Sequence, residues 1–165
     1  MKIAAHTCRN IIHPFPVFAW IIMLAHRMMP WKKDSTSHMV LSVDDGSSIR
    51  FYEMNFFGTQ VSTEKDFLKI YRIVDSHTLP LEETEVDFLK WFKSHENKKY
   101  DYLQLLGLLI RLVGVTKVNK IGHNLDRLVC TEFCLDYASK KYEIEVDDSD
   151  NYSMINTWKM ITELR

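Results

Sequence analysis

The order of its segments constrains the fold of this chain more than any other feature: strand-like runs come first and helical runs second. Residues 37–43 (SHMVLSV) and 49–54 (IRFYEM) have the composition of strands and flank the turn sequence DDGS at 44–47, which predicts an antiparallel hairpin. The β-favouring residues at 69–74 (KIYRIV) predict a further strand. The apolar run at 17–24 (VFAWIIML) has the length of a buried strand.

From Pro80 onward the apolar residues recur at helical spacing. We predict a helix that begins near Pro80 and ends near His95, a loop at about 116–124, and further helices at about 100–113, 128–141 and 153–164, the last capped by Asp150 or Ser153. Strands followed by helices are typical of α+β proteins. We therefore expect an α+β fold in which helices cover one side of a sheet of three or four strands.

The length of 165 residues is that of one domain. Hydrophobic residues make up 46% and charged residues 26% of the chain, values that exclude disorder and a coiled coil. We predict a single domain with an N-terminal extension at 1–16, mainly strands at 17–76 and mainly helices at 80–165.

Charge and apolar content also limit the partners of the chain. The net charge of -1 gives no field that would attract nucleic acid. The apolar segment at 11–24 is shorter than the roughly 20 residues that span a bilayer and contains two prolines. We interpret it as buried packing surface, with a membrane-touching edge as the alternative. No stable membrane insertion is expected, and the oligomeric state is left open.

Three cysteines are an odd number, which argues against a disulfide framework and favours a cytoplasmic protein. Cys130 lies just inside a predicted helix (LVCTEFCLDYA), where backbone N–H groups favour a thiolate. A structural role is the alternative. Cys134, one turn later, is interpreted as a core residue. The pair and His123 lack further ligands at zinc-site spacing, so neither a metal nor another cofactor is expected.

Among the seven histidines, His38 is the best candidate for a base because it begins an apolar strand, a rigid position. Glu53 lies within the apolar and aromatic run FYEMNFF, where a carboxylate is costly without a partner. His38 and Glu53 are about equally far from the turn, so we expect them to lie side by side on the hairpin. In the alternative, Glu53 faces solvent or pairs with Arg50.

Four segments carry a resemblance to a known family: STSHMVLSV, RFYEMNFFGTQV, KKYDYLQLLGL and LVCTEFCLDYA, in that order. The chain resembles the permuted NlpC-type, papain-like hydrolases, which include YiiX-like bacterial proteins, relatives of lecithin retinol acyltransferase and some poxvirus and phage proteins. The resemblance implies a circularly permuted papain-like fold with Cys130 as nucleophile, His38 as base and Glu53 as orienting carboxylate. The sequence departs from the family pattern at Thr131, where serine is common, and between Gly58 and Val61.

The resemblance implies a cysteine hydrolase that cleaves an amide or ester bond through a thioester, with a cell-wall peptide or a lipid as substrate. Transfer of the acyl group to a lipid alcohol or amine is an alternative outcome of the same triad. The alternative from another class is a catalytically silent binding protein or virion structural protein with the same fold. Presence in a virion or release by lysis would bring a wall hydrolase to its substrate.

Overall fold

The computed structural model describes residues 1–11, 36–80, 84–112, 127–142 and 154–163. The strands of this part of the chain are β1 (Lys2–Asn10), β2 (His38–Asp44), β3 (Ile49–Asn55), β4 (Gly58–Thr63), β5 (Tyr71–Thr78), β6 (Lys99–Tyr100) and β7 (Arg127–Leu128). The helices are α1 (Glu64–Ile70), α2 (Glu85–Lys93), α3 (Tyr102–Leu112), α4 (Cys130–Tyr142) and α5 (Met154–Thr162).

A five-stranded antiparallel sheet organises these elements, with the strand order β4-β3-β2-β1-β5. The predicted hairpin of β2 and β3 is confirmed, and its register places Leu41 opposite Tyr52. Its turn is held by Asp45, whose carboxylate accepts hydrogen bonds from the backbone N–H groups of Ser47 and Ser48. The α+β class expected from the sequence is confirmed.

The first strand corrects the prediction of an N-terminal extension at 1–16. Lys2–Asn10 lies inside the sheet, where β1 pairs with β2 on one side and with β5 on the other. The polar residues of this segment prevent its recognition as a strand from the sequence alone. His6 is buried, and its Nε2 and Nδ1 lie 2.7 Å and 2.8 Å from the hydroxyls of Ser42 and Ser76. These partners come from the two neighbouring strands and satisfy a side chain that would otherwise be costly to bury.

Helix α1 was not predicted, and it covers a second face of the sheet. Thr63 caps it by accepting a hydrogen bond from the Asp66 N–H at 3.3 Å. The strand predicted at 69–74 begins only at Tyr71, where α1 ends. The helix predicted from Pro80 begins at Glu85, after the capping Thr84.

The other three helices agree with their predicted bounds to within two residues at each end. The strand predicted at 17–24, the loop at 116–124 and the candidate caps Asp150 and Ser153 lie outside the described residues.

Two apolar clusters form on opposite faces of the sheet. The larger joins Met39, Leu41, Tyr52 and Met54 to aromatic residues of α2 and α4. The smaller lies under α1 and consists of Cys8, Val40, Phe51, Phe67 and Tyr71. Neighbouring residues of β2 enter different clusters because side chains alternate along a strand. Helices therefore pack on both faces, and the expectation of helices on one side only is wrong.

Asp136 joins α2 to α4 on the larger face. Its Oδ2 accepts a hydrogen bond from the Trp91 indole at 2.8 Å and lies 3.2 Å from His95 Nε2 and 3.0 Å from Lys140 Nζ. Burial alone would raise the pKa of Asp136, but the hydrogen bonds from His95, Trp91 and Lys140 hold it below its usual range. These bonds fix α4, and with it Cys130, against the rest of the fold. Of the helices described, none is both long and apolar enough to span a membrane.

Gly58 provides a test of the close packing at the start of β4. Its φ is +102°, and an added Cβ would lie 3.1 Å from the Lys98 carbonyl oxygen. Gly46 has a similar φ of +88° but open space around it. Both alanine variants suffer backbone strain, and only Gly58→Ala adds a backbone clash. We expect Gly58→Ala to lower the free energy of unfolding by about 1 kcal/mol or more beyond Gly46→Ala in urea denaturation. Equal losses would contradict this.

The burial of His6 predicts that the stability of the fold decreases in acid. Burial lowers the pKa of His6 from 6.5 to about 4, so the unfolded chain binds a proton in this interval that the folded chain does not. Stability is therefore lost as the pH falls from 6.5 towards 4. We expect His6 to contribute a loss of about 2 kcal/mol between pH 7 and pH 5. His6→Gln should have a flatter stability profile in urea denaturation over this range, because the other titrating groups are common to both proteins. Parallel profiles would refute this assignment.

Candidate active site

Five elements meet at one end of the sheet. Strands β2 and β5 begin there, at His38 and Tyr71, and β1 and β3 end there, close to Cys8 and Glu53. Antiparallel pairing brings these residues together although they are far apart in sequence. Helix α4 begins at the same place, with Cys130 as its first residue.

His38 and Glu53 form a buried hydrogen bond, with Nε2 and Oε2 2.7 Å apart. His38 is 5% exposed and Glu53 is 3% exposed. The predicted contact across the hairpin is therefore present, although it is diagonal. Extending the register that pairs Leu41 with Tyr52 places Glu53 opposite Val40, two residues from His38 on the same face. Glu53 neither faces solvent nor pairs with Arg50.

The charge of His38 follows from its two neighbours. Burial alone would lower its pKa, but interactions with the Cys130 thiol and the Glu53 carboxylate outweigh burial and raise the pKa of His38 to about 10. The imidazole is thus held in its protonated form near neutral pH. Because Nε2 bonds to Glu53, Nδ1 is the ring nitrogen left to exchange a proton with another group.

Cys130 is buried, with 6% of its surface exposed, and the start of its helix is fixed by hydrogen bonds. The Val129 carbonyl accepts from the Phe133 N–H at 3.0 Å, which makes Val129 the N-cap residue. The Val129 N–H donates to Glu132 Oε2 at 3.1 Å, and the Gln104 amide donates to Glu132 Oε1. This return bond from the third helical residue is one half of a capping box. It places a carboxylate in the first turn, beside the positive end of the helix dipole.

A short parallel pair, β6 and β7, connects the start of α3 to the start of α4. Tyr100 lies opposite Leu128, and the Asp101 N–H donates to the Leu128 carbonyl at 3.1 Å. Asp101 also accepts a hydrogen bond from the Gln104 N–H at 3.0 Å. This support is not evident from the sequence pattern. The only signal for it was the spacing of Glu132 from Val129, which is that of a capping box.

The other two cysteines are free and fully buried. Cys8 lies directly opposite His38 on β1. Burial, followed by the charges of Glu53 and Cys130, raises the pKa of the Cys8 thiol. Burial likewise raises the pKa of Cys134, which packs in the core as predicted. Both thiols are therefore held in the protonated, unreactive form.

The remaining histidines are separate from this site or not described. His6 is hydrogen-bonded within the sheet. His95 lies just after α2 and is bonded to Asp136 of α4, and His77 lies on β5. His13, His26 and His123 lie outside the described residues, and so does any part they play with Cys130 and Cys134. Across the described ranges, the structure contains no group of three or more His, Cys, Asp or Glu residues suited to a metal ion.

Comparison with protein-family models finds no matching model, and comparison with curated proteins and with solved structures finds no significant similarity to the chain. The chemistry of the site is therefore inferred from its own geometry.

The hydrogen bonds of Glu132 at the start of α4 predict that removing its side chain lowers the free energy of unfolding. Glu132→Ala leaves the Val129 N–H and the Gln104 amide without this buried acceptor, which costs about 2–4 kcal/mol of unfolding free energy. The matched control is Glu163→Ala, since Glu163 pairs with Lys159 at 3.8 Å on an exposed surface. That change should cost less than about 0.5 kcal/mol. Urea denaturation measures both, and similar losses would contradict a capping role for Glu132.

Proposed function

We propose that this protein is a cysteine hydrolase that cleaves an amide or ester bond with Cys130 as nucleophile, His38 as base and Glu53 as the carboxylate that orients the base. The observation that carries the proposal is the buried 2.7 Å bond between His38 and Glu53, in which the imidazole also interacts with the Cys130 thiol. A thiol next to a protonated imidazole, itself held by a buried carboxylate, is the arrangement of an activated nucleophile.

The reaction follows from these positions. In the reactive pair the Cys130 proton already resides on His38 Nδ1, and the Cys130 thiolate attacks the carbonyl carbon of the substrate. A C–S bond forms while the carbonyl electrons move to oxygen. As the oxyanion collapses, the bond to the amine or alcohol breaks, and His38 returns the proton to this leaving group. Water then attacks the thioester and gives its proton to the now neutral His38, and collapse of this second intermediate releases the acid and restores the thiolate and imidazolium.

Glu53 has two tasks in this scheme. It fixes the ring through Nε2, which leaves Nδ1 directed to the proton transfer, and its charge stabilises the imidazolium. The start of α4 has a third task. First-turn N–H groups have no acceptor within their helix, so those of Cys130 and Thr131 are the candidates to bind the oxyanion. Such a donor contributes roughly 3–4 kcal/mol in other enzymes.

The order of the groups along the chain supports a permuted papain-like fold as part of the proposal. In papain the nucleophile precedes its histidine in sequence. Here the strands that carry His38 and Glu53 precede the helix that carries Cys130, yet the helix start still packs at the end of the sheet. A small peptide or a lipid with an amide or ester bond is the substrate class that we propose.

The test is the rate at which iodoacetamide alkylates each cysteine at pH 6, measured by peptide mass spectrometry. We expect Cys130 to react at least about 10-fold faster than Cys8 or Cys134, because only its thiol has the imidazolium that favours the thiolate. His38→Gln should slow the alkylation of Cys130 by about 10-fold or more, and Glu53→Gln should slow this alkylation less. His77→Gln is the matched control and should leave the rate unchanged. Release of p-nitrophenol from p-nitrophenyl acetate should be abolished by Cys130→Ala.

Similar alkylation rates at all three cysteines, without an effect of His38→Gln, would overturn the catalytic assignment. The protein would then be a catalytically silent member of its fold, with a binding or structural role.

A further inference from the structure

We propose that Tyr71 is a positioning residue of this site, one side chain that contacts both members of the pair: its ring packs flat on the His38 imidazole and its hydroxyl interacts with the Glu53 carboxylate. The proposal rests on the proposed function, because it concerns the state of the base. The sequence placed Tyr71 only within a strand, and nothing in its pattern marked a functional residue.

The ring contact is well defined. The centroids of the Tyr71 and His38 rings are 4.9 Å apart and the rings are inclined by 19°. Tyr71 starts β5, on the far side of β1 from β2, so its side chain reaches His38 across the intervening strand. The residue of β1 opposite His38 is Cys8, whose small side chain leaves room for this crossing.

A stack of aromatic rings supports Tyr71 from behind. Its ring lies 4.7 Å from that of Phe67 on α1, inclined by 26°. Phe67 in turn stacks on Phe51 of β3 at 4.1 Å and 3°. Tyr71 is buried in the same cluster, so its ring is held in one orientation. A ring face so fixed against a protonated imidazole stabilises the cation, as other cation–π contacts do.

The Tyr71 hydroxyl acts on Glu53, the hydrogen-bond partner of the His38 imidazole. Burial, followed by the charge of Glu53, raises the pKa of Tyr71, so the phenol keeps its proton next to the carboxylate. Glu53 is thus bonded to His38 through Oε2 and interacts with a Tyr71 hydroxyl that keeps its proton. A neutral hydroxyl next to a buried carboxylate stabilises it without adding charge to the site.

The two contacts can be separated by substitution. Tyr71→Phe keeps the ring and removes the hydroxyl, whereas Tyr71→Leu removes both. Tyr52→Phe is the matched control, since Tyr52 is a buried tyrosine in the cluster on the other face of the sheet. Each variant is first compared with the natural protein by its melting temperature.

The experiment measures the rate of Cys130 alkylation by iodoacetamide between pH 4 and pH 9, together with the rate in His38→Gln. We expect the half-maximal rate of Tyr71→Phe to lie about one pH unit higher than that of the natural protein, with Tyr71→Leu shifted further and Tyr52→Phe unshifted. At pH 6 this corresponds to roughly a 10-fold slower reaction for Tyr71→Phe. A purely structural role would instead lower the melting temperature and leave the midpoint in place.

An unshifted midpoint in Tyr71→Phe and in Tyr71→Leu, with His38→Gln still slow, overturns the role of Tyr71 and leaves the proposed function intact. A natural protein whose Cys130 rate does not depend on His38 overturns the proposed function itself. If Tyr71→Leu does not fold, the Phe variant, which preserves the packing, decides the question.

Discussion

The buried carboxylate of Glu53 is the constraint on which the end of this sheet depends. A lone charge at that position would cost several kcal/mol, so it must be met by donors that the fold places around it. His38 supplies the opposite charge from the next strand, and the neutral Tyr71 hydroxyl interacts with the carboxylate from beyond β1. The same requirement keeps the imidazole protonated, which makes the nearby Cys130 a candidate nucleophile. One unfavourable residue thus organises a site made from four strands and a helix start.

The two faces of the sheet have different tasks. The larger cluster holds α4 in place, with Asp136 bonded to Trp91 of α2 and to His95 just after this helix. The smaller one, beneath α1, holds His38. On that face a column of rings passes from His38 through Tyr71, Phe67 and Phe51 to His6. Cys130 and His38 are therefore fixed by separate sets of contacts and meet only at the sheet end.

Much of this could be predicted from local pattern, and the rest depends on partners distant in sequence. The turn at 44–47 with strand-like flanks predicts the hairpin, and a carboxylate in an apolar strand predicts its contact with His38. The strand β1 is not recognisable from its sequence pattern because it buries His6. The burial of this polar side chain is compensated by hydrogen bonds to Ser42 and Ser76, which lie 36 and 70 residues away. Tyr71 reads as an ordinary strand residue because its contact with His38 crosses another strand. The catalytic roles themselves are inferred from chemistry, since no pattern distinguishes an active triad from a silent one.

The position of β1 has a consequence for how the molecule assembles. Among the described strands, β5 has β1 as its only neighbour in the sheet. Residues 71–78 therefore join the sheet only once residues 2–10 have paired with the hairpin, a closure over more than 60 residues of chain. Pairings of such long range form slowly. The local β2–β3 hairpin can bring His38 and Glu53 together early, whereas the Tyr71 ring reaches them only after the long-range pairing of β5 with β1 has formed.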